Sequence, residues 1–391
     1  MTHIQFSLNV DDLKEKILGS NLDDIMKSMI ILVLNEYMKH EQTEFLQANN
    51  YERSPERRDY RNGYYEREYV TKIGSITLKV PRTRSGEFHT TAFEKYERSD
   101  QGFLITLLEM VVNGVSTRKV TNVVEQLCGK EVSKSFVSSL THKLDPVVRE
   151  WANRSLVDTF YPYVFVDAMY IKVRENSKVI SKAAYIATGI TDDGKRAILG
   201  FDIDHEEDYE SWKAFFHRLK ERGLQRPKLI ISDAHKGLKK AIKREFIGTT
   251  WQRCTVHFKK NVIEKMPKKD TLEARNSFKR IYDATNQEEA RKLKDMFIDE
   301  HGNNPKLEAA INTLEEGFED TIQYLSEPHA VHKHISSTNS IERVNQEVRR
   351  RERVIRIFPN NLSAYRLIGA VLMEYEKVLQ SRRKLFKKGT V

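Results

Sequence analysis

Asp167, Asp233 and Glu342 are the side chains whose types and placing could do chemistry together. Asp167 closes the apolar run Tyr163-Val164-Phe165-Val166, and Asp233 closes Lys228-Leu229-Ile230-Ile231-Ser232. Glu342 lies much later, in an arginine-rich stretch that reads as a helix. Carboxylates on two strand ends and a helix are the hard oxygen ligands that magnesium and manganese take. Two such ions roughly 3.5–4 Å apart stabilise both the attacking and the leaving oxygen of an in-line displacement. The set implies phosphodiester chemistry on nucleic acid. Each acid alone also has an ordinary reading. Asp233 can cap a helix beginning near Lys236, and Glu342 can pair with Arg343 or Arg349.

The elements that must position these acids are legible as an α/β pattern. Strand-like runs cover Tyr163–Asp167, Val179–Thr191 and Ala197–Asp204, followed by a helix at Tyr209–Glu221. A strand at Lys228–Ser232, a helix at Lys236–Phe246 and a strand at Thr250–Thr255 complete the series. Three consecutive strands and then helix, strand, helix, strand is the order of a ribonuclease H-like domain. Asp167 and Asp233 fall on its first and fourth strands. A long helical stretch from Lys259 to Leu325 then interrupts it, with Thr285 and Glu288 as a capping box and Gly302 ending that helix. From Ile335 the chain returns to the core, with the Glu342 helix and a last helix over Ser363–Lys384.

Along the Glu342 helix, Asn345, Gln346, Arg349, Arg353 and Arg356 share the glutamate's face at helical spacing. Arginine forks on that stripe suit phosphate, so Arg349, Arg353 and Arg356 are candidate DNA contacts. A solvated basic helix is the plainer alternative. Cys254 and His257 form a Cys-x-x-His pair, with His329, His332 and His334 as further nitrogen donors. That set is open between a four-ligand zinc site and a buried cysteine beside a histidine at the active-site periphery.

Ahead of the core, Ile25, Met29, Ile30, Val33 and Leu34 form an apolar helical face that Asn21 can cap, suited either to a partner helix or to packing within its own domain. The basic, aromatic stretch Tyr51–Tyr69 carries the turn signal Asn62-Gly63 and leads into a hairpin of Tyr64–Thr71 and Ser75–Val80. Tyrosine among arginines suits phosphate and base contacts as well as a solvated hairpin. Between Gln101 and Glu150, Phe103–Val112 reads as a helix closed by Asn113-Gly114. Ser116 caps a second, to Leu127, and Ser133 a third, with Phe136, Val137, Leu140 and Leu144 on one stripe. Short helices around a Gly-containing turn match a helix-turn-helix, which would aim Lys134, Ser135 and Ser138 at DNA.

The 391 residues carry 66 Lys plus Arg against 56 Asp plus Glu, a formal charge of +10, which favours a polyanionic partner. Cys128 and Cys254 are too few for a disulfide framework, the N-terminus is polar, and Met29–Leu34 is too short to span a bilayer. A cytoplasmic protein without a membrane partner is expected.

From the second aspartate the chain reads Asp233-Ala234-His235-Lys236-Gly237-Leu238, and it ends that region in Gln252-Arg253-Cys254-Thr255-Val256-His257. With Asp167-Ala168-Met169-Tyr170-Ile171-Lys172-Val173-Arg174 and Ser337-Thr338-Asn339-Ser340-Ile341-Glu342-Arg343, this resembles the Mutator-type DDE transposases of bacterial insertion sequences over nearly its whole length. Glu245 stands where that family usually has a small residue, and Ile247 where it has proline or threonine. Both bear on packing between a helix and a strand. The resemblance implies an α/β ribonuclease H-like catalytic domain interrupted by an all-α insertion. A mainly helical N-terminal DNA-binding region with a helix-turn-helix and a β-hairpin precedes it. The expected divisions are 1–100 and 101–155 for that region, 156–258 and 335–391 for the core, and 259–334 for the insertion.

The same resemblance implies that Asp167, Asp233 and Glu342 are catalytic ligands of two magnesium ions, with manganese an acceptable substitute. The implied partner is double-stranded DNA, as terminal inverted repeats and as target, bound by a homodimer or larger assembly. Hydrolysis at the element's end frees a 3′-hydroxyl that attacks a second phosphodiester, with no covalent protein–DNA intermediate. A structure-selective nuclease of the same fold and a non-cutting DNA-binding relic remain as rival readings.

Overall fold

The computed structural model describes residues 22–50, 52, 55–71, 74–92, 107–108, 110–112, 119–122, 134–269 and 271–391. The chain divides into two compact units, Met1–His142 and Lys143–Val391.

In the first unit, α1 (Leu22–Leu46) packs on an antiparallel hairpin of β1 (Arg61–Thr71) and β2 (Gly74–Thr83). Ile30, Ile31, Leu34 and Met38 meet Ile76, Leu78 and Val80, so this helix buries its apolar face within its own unit. Met29 stays 43% exposed. Asn62-Gly63 is a bulge inside β1 rather than a turn. Gly63 has φ +68°, and the register shifts between Arg61 and Tyr64. Tyr60, Tyr64 and Tyr65 are exposed on the hairpin. Helical residues at 107–108, 110–112 and 119–122 precede α2 (Lys134–Thr141). Leu107, Val120, Val137 and Leu140 cluster with Val70. The expected caps and turns at Asn21, Asn113-Gly114, Ser116 and Ser133 lie outside the described residues. The apolar stripe expected to run from Phe136 to Leu144 is broken, because α2 ends at Thr141 and α3 (Leu144–Ala152) starts a new helix.

That helix opens the second unit, so the structural division falls at 142/143 and not at 155. A five-stranded sheet follows, from β3 (Tyr163–Glu175), β4 (Lys178–Ile190), β5 (Arg196–Asp204), β6 (Leu229–Ser232) and β7 (Thr250–Arg253). Its order is β5-β4-β3-β6-β7, with β3–β5 antiparallel and β6 and β7 parallel to β3. Asn176 and Ser177 join β3 to β4 with positive φ at both positions, the two-residue turn that matches strand twist. The strand β3 runs eight residues beyond Asp167. Met169, Ile171 and Val173 are buried there while Tyr170, Lys172 and Arg174 are exposed, the alternation of a half-buried strand.

Two helices, α4 (Tyr209–Glu221) and α5 (Lys236–Glu245), pack on one face of this sheet. Asp208 caps α4 by accepting from Ser211 N at 2.8 Å, and the helix buries Trp212, Phe215, Phe216 and Leu219. Each such side chain contributes roughly 1.5–3 kcal/mol on burial. They meet Val164, Val166 and Ile230 from the sheet. Gly237 lies against the start of α4, where a Cβ would stand 2.9 Å from Tyr209 N. A side chain there would push the two helix starts apart, which accounts physically for glycine at this point of the motif.

After β7, α6 (Thr255–Glu264) leads into a helical segment of α7 (Leu272–Arg280), α8 (Gln287–His301) and α9 (Glu308–Gly317). Its helix cap is Asn286 rather than Thr285: Asn286 Oδ1 accepts from Glu289 N, while Glu289 accepts from Thr285 N and Oγ1. Short turns then return the chain to the sheet, where α10 (Asn339–Ile355) packs on β3 and β4 and α11 (Asn361–Ser381) packs on β5 and α3. Phe358 closes the excursion by bridging to Val173. Among the described residues no helix is long and apolar enough to cross a membrane.

Candidate active site

The register of the sheet sets the two aspartates level. Phe165 on β3 pairs with Ile231 on β6, so two residues further along lie Asp167 and Asp233. On β7, Arg253 pairs with Ser232, which sets Cys254 beside Asp233. Because side chains alternate across a strand, Asp167 points away from the face of Val164 and Val166, toward α10. There Asn345 Nδ2 donates to Asp167 Oδ2 at 2.6 Å, and Ala168 N donates to Oδ1 at 2.9 Å.

Glu342 sits in the first turn of α10. Thr338 Oγ1 donates to its Oε1 at 2.7 Å and also lies 3.2 Å from Cys254 Sγ. Thr338 N donates to the same sulfur at 3.4 Å, and Thr255 N donates to Ser336 O at 3.0 Å. These bonds tie the start of α10 to the start of α6. Cys254 is fully buried, and burial raises its thiol above the usual range. It therefore sits as a neutral packing and anchoring group.

His257 joins the remaining acids. Its Nδ1 is 2.7 Å from Asp233 Oδ1 and 3.9 Å from Glu342 Oε1. Ligating atoms of Asp233, Cys254 and His257 lie within 4.8 Å of one another, with Asp167 and Glu342 outside that group. No other group of three or more His, Cys, Asp or Glu side chains close enough to share an ion occurs among the described residues. His329, His332 and His334 do not join it, and His332 Nε2 contacts Glu327 O at 2.6 Å. Four-ligand zinc binding is thus not assembled here.

The electrostatics are those of crowded carboxylates. Burial, and then the charge of Asp233, push Asp167 up to about 7, against the help of the Ala168 amide. Glu207 and Glu342 add to the repulsion. Burial also raises Asp233, although His257 opposes it. Half-buried oxygen ligands that repel one another are what a hard divalent cation neutralises, so Asp167, Asp233 and Glu342 are residues that could hold magnesium or manganese.

A carboxylate raised in this way destabilises the fold once ionised. Between the ordinary carboxylate range and pH 7 the folded chain holds a proton that the unfolded chain has released, so stability falls as pH rises through that window. At ~1.36 kcal/mol per unit the whole effect is at most about 4 kcal/mol. Asp167→Asn, which cannot ionise, is expected to melt above the wild type at pH 8 in EDTA and to lose that advantage at pH 4. Thermal melts of both proteins at the two pH values check this. A lower melting temperature for the variant at pH 8 would contradict it.

Several site residues are not readable from sequence. Asn345, expected on a DNA-facing stripe, is buried and bonded to Asp167 instead. Gln252 is fully buried; its Nε2 donates to Thr321 O at 2.8 Å and its Oε1 accepts from Tyr324 N at 2.8 Å. It fastens β7 to the end of the helical segment, so its motif position is structural. Glu207 is a fourth acid near Asp167, contacting His235 Nδ1 at 3.5 Å. Arg349 and Arg353 are exposed on α10, whereas Arg356 lies past the helix end with φ +63° and leaves the stripe. Ser135 and Ser138 are exposed on α2, and Lys134 is its first residue.

The sequence matches the family described as "Transposase, Mutator family" over residues 1–381. It is 49% identical over 385 residues to the transposase for insertion sequence element IS256 in transposon Tn4001 of Staphylococcus aureus, covering 98% of each chain. It is 40% identical to the transposase for ISRM5 of Rhizobium meliloti, over 94% of this chain and 92% of that one. To the transposase for IS1081 of Mycobacterium tuberculosis it is 34% identical, over 93% and 87%. These full-length similarities, on top of the acid cluster, make the chain a member of the Mutator family of insertion sequence transposases.

Proposed function

We propose that this transposase binds the terminal inverted repeats of its own insertion sequence and catalyses metal-dependent strand cleavage and strand transfer. The observation that carries the proposal is the level placement of Asp167 and Asp233 on adjacent parallel strands, with Glu342 brought to them across His257. The sheet order, three antiparallel strands continued by two parallel ones, supports a ribonuclease H-like reading of the core. The helical segment from α7 to α9 reads as its insertion.

In this reading Asp167, Asp233 and Glu342 hold two magnesium ions, with manganese able to replace them. When bound, such ions stabilise charge on the attacking and leaving oxygens of a phosphodiester displacement. The chain's own groups prepare the site. Asn345 orients Asp167, Thr338 orients Glu342, and His257 stands 2.7 Å from Asp233 Oδ1, where it opposes the upward shift that burial gives that carboxyl. Water attacks first, and the freed 3′-hydroxyl attacks second, so no protein nucleophile is needed. Lys134, Ser135 and Ser138 on α2 read repeat DNA, and Arg349 and Arg353 on α10 contact its backbone. Pairing of two element ends calls for a homodimer or larger assembly.

The test uses purified protein and labelled linear DNA bearing the repeats that flank its own gene, with magnesium and then with EDTA. Metal-dependent nicks at the repeat end together with joined products are expected. Nicks without joining would favour a structure-selective nuclease, and tight binding with no cutting in magnesium or in manganese would leave a DNA-binding relic. Binding itself is expected to weaken with added salt, since each phosphate contact releases counterions.

A further inference from the structure

Beside the carboxylate site lies a second, oppositely charged cavity of about 170 Å³. It is bounded by the start of α10, the ends of β4 and β5 that flank their turn, and the last turns of α11 with the segment after it. Arg196, Lys333, His334, Arg343 and Arg382 line it, and no carboxylate does. None of Arg196, Lys333, Arg343 and Arg382 makes an ion pair with a described carboxylate. Asp193, on the β4–β5 turn, is taken by Lys384 at 2.6 Å instead.

Such a concentration of like charge needs an explanation. Burial, and then the charges of Arg382 and Arg343, depress the Arg196 guanidinium. Burial, then Lys333 and Arg196, likewise depress His334. The protein gains nothing for its own stability by crowding these groups without a counter-charge. Ser340 is among the residues that line the cavity, and its hydroxyl is buried without a hydrogen-bond partner in the protein. The first turn of the 17-residue α10 also borders it, adding the positive end of a helix dipole. A volume far above the roughly 10–15 Å³ that one water requires leaves room for a larger tetrahedral anion.

We propose that this cavity holds a phosphodiester group of the DNA strand engaged by the active site. Glu342 and Arg343 are consecutive on α10 and face the two sites from one helical turn. A phosphate gripped by Arg196, Arg343 and Arg382 fixes the strand relative to the carboxylates. Arginine forks give that grip direction as well as charge. The assignment rests on the reading of the carboxylate site as a DNA-cutting centre.

The test is methylphosphonate interference on a repeat-bearing duplex, with each phosphate neutralised in turn. It compares the wild type with Arg343→Gln and Arg382→Gln, two exposed positions where the fold tolerates change, and with Arg382→Lys. One backbone position is expected at which neutralisation weakens wild-type binding about tenfold, the scale of one charge-assisted contact. At that position the glutamine variants lose nothing further, and their salt slope falls by about one. Arg382→Lys should regain part of the affinity. Equal affinity and salt slope in all proteins, with a wild type that still cuts, would overturn the cavity assignment alone. A wild type that neither binds nor cuts the duplex would overturn the underlying reading, and the cavity assignment with it. Weakening that is uniform at every position, with no coupling to the variants, would also overturn it by showing a diffuse charge effect.

Discussion

Asp167→Asn is expected to lower the rate of strand cleavage by about 10³-fold or more while leaving repeat binding within a few-fold of the wild type. The size follows from what is removed. Asp167 stands level with Asp233 across two parallel strands, and burial together with the Asp233 charge pushes its carboxyl up to about 7. Asparagine preserves the shape and can still accept from Asn345, so the surrounding fold is retained. It supplies no negative charge, and a hard cation loses an anionic ligand that an amide oxygen replaces poorly. The candidate DNA-reading residues on α2 lie in the other unit, and α10 retains its arginines, which is why binding should survive. Gel-shift and nicking assays on one substrate separate the effects. Loss of both activities together would make Asp167 a structural residue.

The largest effect on stability is expected at Glu376, far from any chemistry. This residue is 6% exposed, and its carboxylate accepts three hydrogen bonds. Trp151 Nε1 donates to it at 2.7 Å, Arg154 Nη2 at 2.7 Å and Ile198 N at 3.0 Å. It thereby joins α11 to the end of α3 and to the edge strand β5. Glu376→Ala leaves an indole N–H and a backbone amide without their acceptor and takes the counter-charge from the partly buried Arg154 guanidinium, which keeps the Ile198 and Trp151 carbonyls. Removing one partner of such a pair costs about 3–5 kcal/mol. Glu376→Gln keeps two acceptor sites on one oxygen and should cost roughly half as much. Urea denaturation of the three proteins measures the difference. A loss below about 1 kcal/mol for the alanine variant would show that the network contributes little.

What the sequence makes legible here follows from the range of the interaction involved. Local signals are readable. The runs Tyr163–Val166 and Leu229–Ser232 are apolar because parallel strands are covered on both faces, and Trp212, Phe215, Phe216 and Leu219 recur at helical spacing for one buried face. The continuation of β3 past Asp167 is also written in the alternation of Met169, Ile171 and Val173 with Tyr170, Lys172 and Arg174, though a motif reading of that stretch hides it.

Long-range pairings are not readable in this way. Asn345 is four α-helical steps from Ile341 and looks like any polar residue on a basic helix; only the approach of α10 to β3 makes it the partner of Asp167. Thr338 and Cys254 meet across 84 residues of chain. The cationic cavity draws Arg196, Arg343 and Arg382 from three separate elements, so no spacing announces it. Gly237 is legible as a motif position, yet its reason, the backbone of Asp208–Tyr209 beside it, belongs to the tertiary structure.

The central claim is that acids from within β3, from the end of β6 and from the first turn of α10 form a single divalent-cation site. Its most direct measurement is Mn²⁺ uptake, followed by the EPR signal of the free ion, with repeat-bearing DNA present. Wild type is predicted to take up two Mn²⁺ per chain beyond those the DNA binds alone, and Asp167→Asn and Glu342→Gln each to lose at least one. Uptake that is absent in the wild type, or unchanged in both variants, would contradict the account.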